Sequence, residues 1–225
     1  MPLDARQAAS APSPRSRLQA GLLQPRVLRR FIIIMALATF AMFTAWAVVR
    51  EALVAPPGDY QVRQGDILLT DGKFAEAIER FEAALVVSPA HRGAMIGRAI
   101  ALLQSGRLEE AESAFTALIG FLGTHLAPDD PTGRAVLAAA HANRGILYDR
   151  TGRHAAALAD YRQALSIDAG AVDGPGLFHK ILYGEAQPST IAKRAAYLES
   201  QLALPADQRL LTVPEIDDRQ RMYKP

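Results

Sequence analysis

From Phe31 to Val49 the chain reads FIIIMALATFAMFTAWAVV, nineteen residues without a charge, a glycine or a proline. At about 1.5 Å per residue, such a helix is about 28 Å long, close to the ~30 Å hydrocarbon core of a bilayer. Thr39 and Thr44 are its only polar residues, and each hydroxyl can bond a carbonyl one turn earlier. Trp46 lies near one end, where an interfacial indole is expected, and Arg29, Arg30 and Arg50 bracket the run. The pattern predicts a transmembrane helix over 31–49. A buried helix of a soluble protein would be shorter or carry a polar stripe. The apolar core of a signal peptide is also shorter, although Ala45-Trp46-Ala47 keeps cleavage open as an alternative.

After Pro57 the pattern changes to a repeat of 34 residues. Laid over one another, 58–91 and 138–171 place Gly65 on Gly145, Leu68 on Tyr148, Gly72 on Gly152, Ala77 on Ala157, Phe81 on Tyr161 and Ala84 on Ala164. Between them, 92–125 supplies Ala99, Leu102, Gly106, Ala111, Phe115 and Leu118 at the same offsets. Each unit holds two helical stretches parted at Asp71-Gly72, Ser105-Gly106 or Thr151-Gly152, which read as helix ends. Small residues let the two helices approach, and the aromatic or leucine side chains fill the space between them. Tyr60, Phe74, Phe81, Phe115, Tyr148 and Tyr161 are therefore expected to be structural.

These residues resemble the tetratricopeptide repeat (TPR) family. The first unit carries Gly65-x-x-Leu68, Gly72-Lys73-Phe74-x-x-Ala77, Phe81-x-x-Ala84 and Pro89, and the third carries Gly145-x-x-Tyr148, Gly152, Ala157, Tyr161 and Ala164. The second departs most, with Ala99, Leu118 and Gly123 where the family favours glycine, alanine and proline. The resemblance covers about half the chain and implies an all-α fold. That fold is one N-terminal transmembrane helix, then a short α-solenoid of three helix pairs closed by a C-terminal capping helix.

The second and third units are offset by more than one period. The excess includes Ala127-Pro128-Asp129-Asp130-Pro131-Thr132-Gly133, so a loop and a lengthened helix from Leu108 to about Leu126 are expected. Asp130-Pro131 suits an N-cap followed by proline at the first helical position. Beyond the third unit, Leu177–Leu182 reads as one short helix. Ser189–Leu204 reads as a clearer one, with Ile191, Ala195, Leu198 and Leu202 on one face. The full expectation is a disordered basic segment (1–30), the span (31–49), a linker (50–57) and a TPR domain (58–171, units 58–91, 92–125 and 138–171). Capping helices (172–204) and an extended tail (205–225) follow. Leu210, Leu211, Val213 and Ile216 mark the tail as packing on something, either this chain or a partner.

Charge adds a direction. Six of the 25 basic residues, all arginines, lie in the first thirty positions, against one of the 23 acids. The excess of arginine before the span puts the N-terminus in the cytoplasm and the repeats on the other face, the periplasm for a bacterial inner membrane. The same Arg-rich, Ser-containing segment also fits a mitochondrial import signal, with the mitochondrial inner membrane as the alternative location. The remainder is mildly acidic, with no basic face, so nucleic-acid binding is not expected.

Candidate chemistry is sparse. With no cysteine, disulfides, thiolate metal sites and thiol nucleophiles are excluded. His91, His125, His141, His154 and His179 form no i, i+4 pair, and no nucleophile-elbow, phosphate-loop or dinucleotide-binding motif occurs. His125 near Asp129 and Asp130 is the weak metal candidate. No enzyme activity, cofactor, metal or small-molecule substrate is expected.

The resemblance implies protein binding in a concave groove lined by the first helix of each unit. The lining positions are Val62, Asp66 and Leu69, then Ile96, Ile100 and Leu103, then Ala142, Ile146 and Asp149. The Lys, Arg and Asn with which some relatives clamp a C-terminal carboxylate are missing there. An apolar groove suits an amphipathic helix or extended apolar segment, unless the chain's own tail or capping helix fills it. Asp at Ile96 and Ile100 is then expected to abolish binding without loss of helicity. The expected function is a membrane-anchored scaffold or assembly factor for a membrane complex, with protein partners in or near the membrane and the bilayer itself contacting 31–49. The architecture is similar to ancillary translocon subunits and haem-ligation components. A holdase for exported polypeptides and a resident subunit of an energy-converting complex are the alternatives.

Overall fold

The computed structural model describes residues 25–54, 56–172 and 190–213. Among them are eight α-helices and no strand. The chain divides into two compact units, 1–55 and 56–225.

The first unit is α1, Pro25–Val54. It starts earlier and ends later than the apolar run itself. Arg29, Arg30, Glu51 and Ala52 are all good helix formers, and no glycine or proline intervenes between Pro25 and Pro56. Residues 25–30, expected to be disordered, and 50–54, expected to be linker, are therefore helical. Within α1, Thr44 donates its hydroxyl to the Phe40 carbonyl at 2.8 Å, and the Arg50 guanidinium lies 5.3 Å from the Trp46 ring centre. Pro25–Arg50 is long and apolar enough to cross a membrane, a property that signal sequences share. Residues 1–24, which hold most of the basic segment, lie outside the described residues.

The second unit is built from α2 (Asp59–Thr70), α3 (Phe74–Val87), α4 (Arg92–Gln104), α5 (Leu108–His125), α6 (Pro131–Arg150), α7 (His154–Asp168) and α8 (Ile191–Leu202). The three intra-repeat turns are one motif written three times. Lys73 N–H bonds the Leu68 carbonyl and Gly72 N–H bonds Leu69; Arg107 and Gly106 do the same to Leu102 and Leu103, and Arg153 and Gly152 to Tyr148 and Asp149. The motif needs a left-handed residue just past the helix, and φ is 74°, 82° and 76° at Gly72, Gly106 and Gly152.

Asp130 caps α6 as its sequence context predicts. Its Oδ1 accepts from Gly133 N–H at 2.7 Å, with Pro131 opening the helix. The expected loop is thus shorter, because Pro131-Thr132-Gly133 form the first turn of α6. Arg92 pairs with the same aspartate from α4. His91 accepts from Ala94 N–H through Nδ1 at 3.3 Å, which leaves Nε2–H to donate to Asp59 at 2.8 Å and tie α4 to α2.

Consecutive helices pack side by side, and α2, α4 and α6 also meet in succession. Phe81 is fully buried, its ring held where α2 and α4 carry Gly65 and Gly97. Phe115 and Leu118 extend this core, and a second cluster forms around Tyr161 and the Ile191, Ala195 and Leu198 face of α8. Of the aromatics expected to be structural, Tyr60 is the exception at 63% exposure, because α2 opens the solenoid and no helix of this unit precedes it. Thr190 caps α8, accepting from Lys193 N–H at 3.3 Å. The expected helix over Leu177–Leu182 and the tail beyond Val213 lie outside the described residues.

Candidate functional site

The nine predicted groove positions are not an open channel. Ile96, Ile100, Leu103, Ala142 and Ile146 are at most 2% exposed, and Val62 and Asp149 are buried as well. Only Asp66 and Leu69 are half-accessible. Packing of α6 explains the middle unit, because its Val136, Ala139, Ala140 and Leu147 share one buried cluster with Ile96, Ile100 and Leu103. In the third unit, Ala142 and Ile146 share a cluster with Val172, Ile191, Ala195, Leu198 and the partly buried Leu211, so the chain's own C-terminal elements occupy that position. An acidic residue at Ile96 or Ile100 would therefore disrupt the core rather than probe a groove.

Asp149 does not line a groove but anchors the cap. Arg194 of α8 presents its fork to it, Nε to Oδ2 at 2.7 Å and Nη2 to Oδ1 at 2.9 Å. His154 Nδ1 lies 2.9 Å from Oδ1, and the Tyr161 hydroxyl donates to Oδ2 at 3.2 Å. Three helices thus converge on one carboxylate. A buried pair of this kind adds little net stability over an apolar pair of the same volume, but removing one partner alone is costly.

A second polar network joins α5, α6 and α7. Asp160 accepts from Arg144 Nε at 2.7 Å and Nη2 at 2.9 Å, with His141 Nδ1 at 2.8 Å. Arg144 also donates to Thr116 at 3.0 Å. Arg153 stacks 4.3 Å from the Tyr148 ring centre and grips Glu112 at 3.0 and 2.7 Å, while the Tyr148 hydroxyl donates to Glu112 at 3.0 Å. Burial alone would raise the Asp160 pKa, but Arg144 and then His141 outweigh it and hold the carboxyl below its ordinary range. Arg153 is the main cause that lowers Glu112. Both acids are thus stronger folded than unfolded. Their contribution is complete above the ordinary carboxylate pKa of about 4 and is lost as pH falls through the folded values. Arg144→Met is expected to lower the denaturation midpoint at pH 7 and to shrink the difference between pH 7 and pH 3. An unchanged pH difference would remove Asp160 from the acid limb.

Of the histidines, His141 and His154 serve these two networks, and His179 lies outside the described residues. His125, the weak metal candidate, stacks on Phe121 at 4.6 Å, and its Nδ1 lies 2.7 Å from the Thr124 hydroxyl, while Asp130 faces Arg92 and Gly133. Among the described residues no three His, Asp or Glu side chains gather as metal ligands. Sequence reasoning missed Arg194, Asp160, Arg144 and His154. The available signal was a charge inside an apolar stripe: Arg194 follows Ile191 and precedes Ala195 and Leu198, and Asp149 follows Ala142 and Ile146.

Stacked helix pairs with glycine-closed turns and a capping helix define a helical-repeat solenoid, a protein-binding architecture. Residues 62–131 match a tetratricopeptide-repeat family model, and residues 138–171 match a second model of the same description. These two stretches of the chain are thus similar to tetratricopeptide repeats, a protein-interaction fold. No curated protein matches the chain.

Proposed function

We propose that this protein is a membrane-anchored scaffold that serves as an assembly factor for a membrane complex, with its repeats on the non-cytoplasmic face. The observation that carries the reading is a fully exposed, membrane-length apolar helix in the same chain as a tetratricopeptide-repeat domain. The arginines before the apolar run of 31–49 support the orientation through the positive-inside rule. The bacterial inner membrane, with the repeats in the periplasm, is the location most consistent with that asymmetry.

The absence of cysteine makes sidedness easy to read. With a membrane-impermeant maleimide, Ser113→Cys on the exposed side of α5 is expected to label in intact spheroplasts, and Ser10→Cys only after permeabilisation. The reverse pattern would overturn the orientation. Crosslinking in the membrane, followed by mass spectrometry, then separates the functions. One stoichiometric partner set is expected for a scaffold, whereas a broad spread of exported proteins at low occupancy would mean a holdase.

A further inference from the structure

After α8 the chain turns through Ala206–Gln208 and runs back along the helix as an extended segment, 209–213. Three α8 side chains spaced i, i+3 and i+7 reach its backbone. Gln201 Oε1 accepts from Leu210 N–H at 2.8 Å, the Tyr197 hydroxyl donates to the Leu210 carbonyl at 2.7 Å, and Arg194 Nη2 donates to the Leu211 carbonyl at 2.9 Å. Leu211 packs on the second core cluster, while Leu210 is 62% exposed.

We propose that this edge of α8 is a binding rail for extended peptide, that 209–213 is its resident occupant, and that an extended apolar segment of a protein partner displaces it. Three features carry this. The side chains address backbone N–H and C=O groups that any extended peptide offers, so the rail is tolerant of sequence and asks mainly for an apolar residue where Leu211 sits. The rail is built without the tail, because the double bond to Asp149 already orients the Arg194 guanidinium. The occupant buries little of itself: Leu211 packs on the cluster, Val213 is half-buried, and Leu210 and Thr212 stay exposed. The proposal rests on the scaffold reading only in taking the competitor to be a protein, and its test is independent of membrane sidedness.

The probe is a fluorescent peptide of residues 207–215 added to the full-length protein in detergent. Intramolecular competition should keep wild-type affinity low. Leu211→Asp is expected to bind the probe about tenfold or more tightly, because the tethered segment, still at the same effective concentration, has lost the apolar contact that lets it compete. Adding Tyr197→Phe and Gln201→Ala should remove that gain. A probe N-methylated at the Leu210 position should fail, and one with alanine there should bind. Equal binding by wild type and Leu211→Asp, or equal binding of the N-methylated probe, would overturn the rail. Hydrogen exchange of the wild-type Leu210 amide gives a second readout that needs no variant. Exchange faster than in the α8 interior is expected, and exchange only through global unfolding would make the segment a fixed structural part.

Discussion

Arg194→Ala is expected to cost about 3–5 kcal/mol, the usual penalty for removing one partner of a buried ion pair. The arginine side chain is 1% exposed and the Asp149 side chain 3%, so water cannot replace the lost bonds without opening the cap. Asp149 would lose both guanidinium bonds, and α8 would lose the polar contact that fixes its docking. For a domain of this size the loss corresponds to a fall of about 10 °C in Tm, read by circular dichroism on the full-length protein in detergent. Arg194→Lys should recover little of it, since an ammonium cannot present two parallel N–H groups to one carboxylate. The double variant Arg194→Met/Asp149→Leu should recover a large part, because the uncompensated charge disappears with its partner. A Tm within about 2 °C of wild type for Arg194→Ala would mean a contribution below ~1 kcal/mol and an Asp149 that is readily solvated.

Phe81→Ala is expected to cost about as much, ~3–5 kcal/mol, by removing a fully buried ring from the first core. The ring is fitted between two helices that both carry glycine opposite it. A Cβ added at Gly65 or Gly97 would lie 2.6 or 2.5 Å from Phe81 ring carbons. Gly97→Ala should therefore also destabilise, by about 1–3 kcal/mol of overpacking. In a Phe81→Leu background the same substitution should cost less than in the wild type, since the smaller side chain leaves room; additive effects would show that the glycine and the ring do not share one space. Because repeats communicate mainly with their neighbours, amide protection in α2 to α4 should fall more than in α7 and α8 after Phe81→Ala. Equal loss everywhere would make the solenoid a single cooperative block.

The local features of the chain were legible. The helix pairs, the three glycine turns, the Asp130-Pro131 start of α6 and the apolar face of α8 all depend on residues within a turn or two of one another. The ends of α1 were not, because the apolar run shows where lipid is tolerable and not where the helix stops, and charged flanks of high helix propensity continue it. Nor was the burial of most of the expected groove positions. Periodicity assigns Ile96, Ile100, Ala142 and Ile146 to one face of their helices, and that face looks the same in sequence whether solvent, a partner or the chain itself covers it.

Sequence by itself determined that this protein joins a membrane-length apolar helix to helical repeats similar to tetratricopeptide repeats, since capping, glycine turns and a 34-residue period are short-range properties. Tertiary structure alone decided what covers each face. The α6 helix packs over α4, and Arg194 reaches Asp149 across 45 residues to lock the cap, leaving the polar edge of α8 to grip 209–213. Burial and ion pairing between distant elements follow from three-dimensional proximity, which no local pattern encodes.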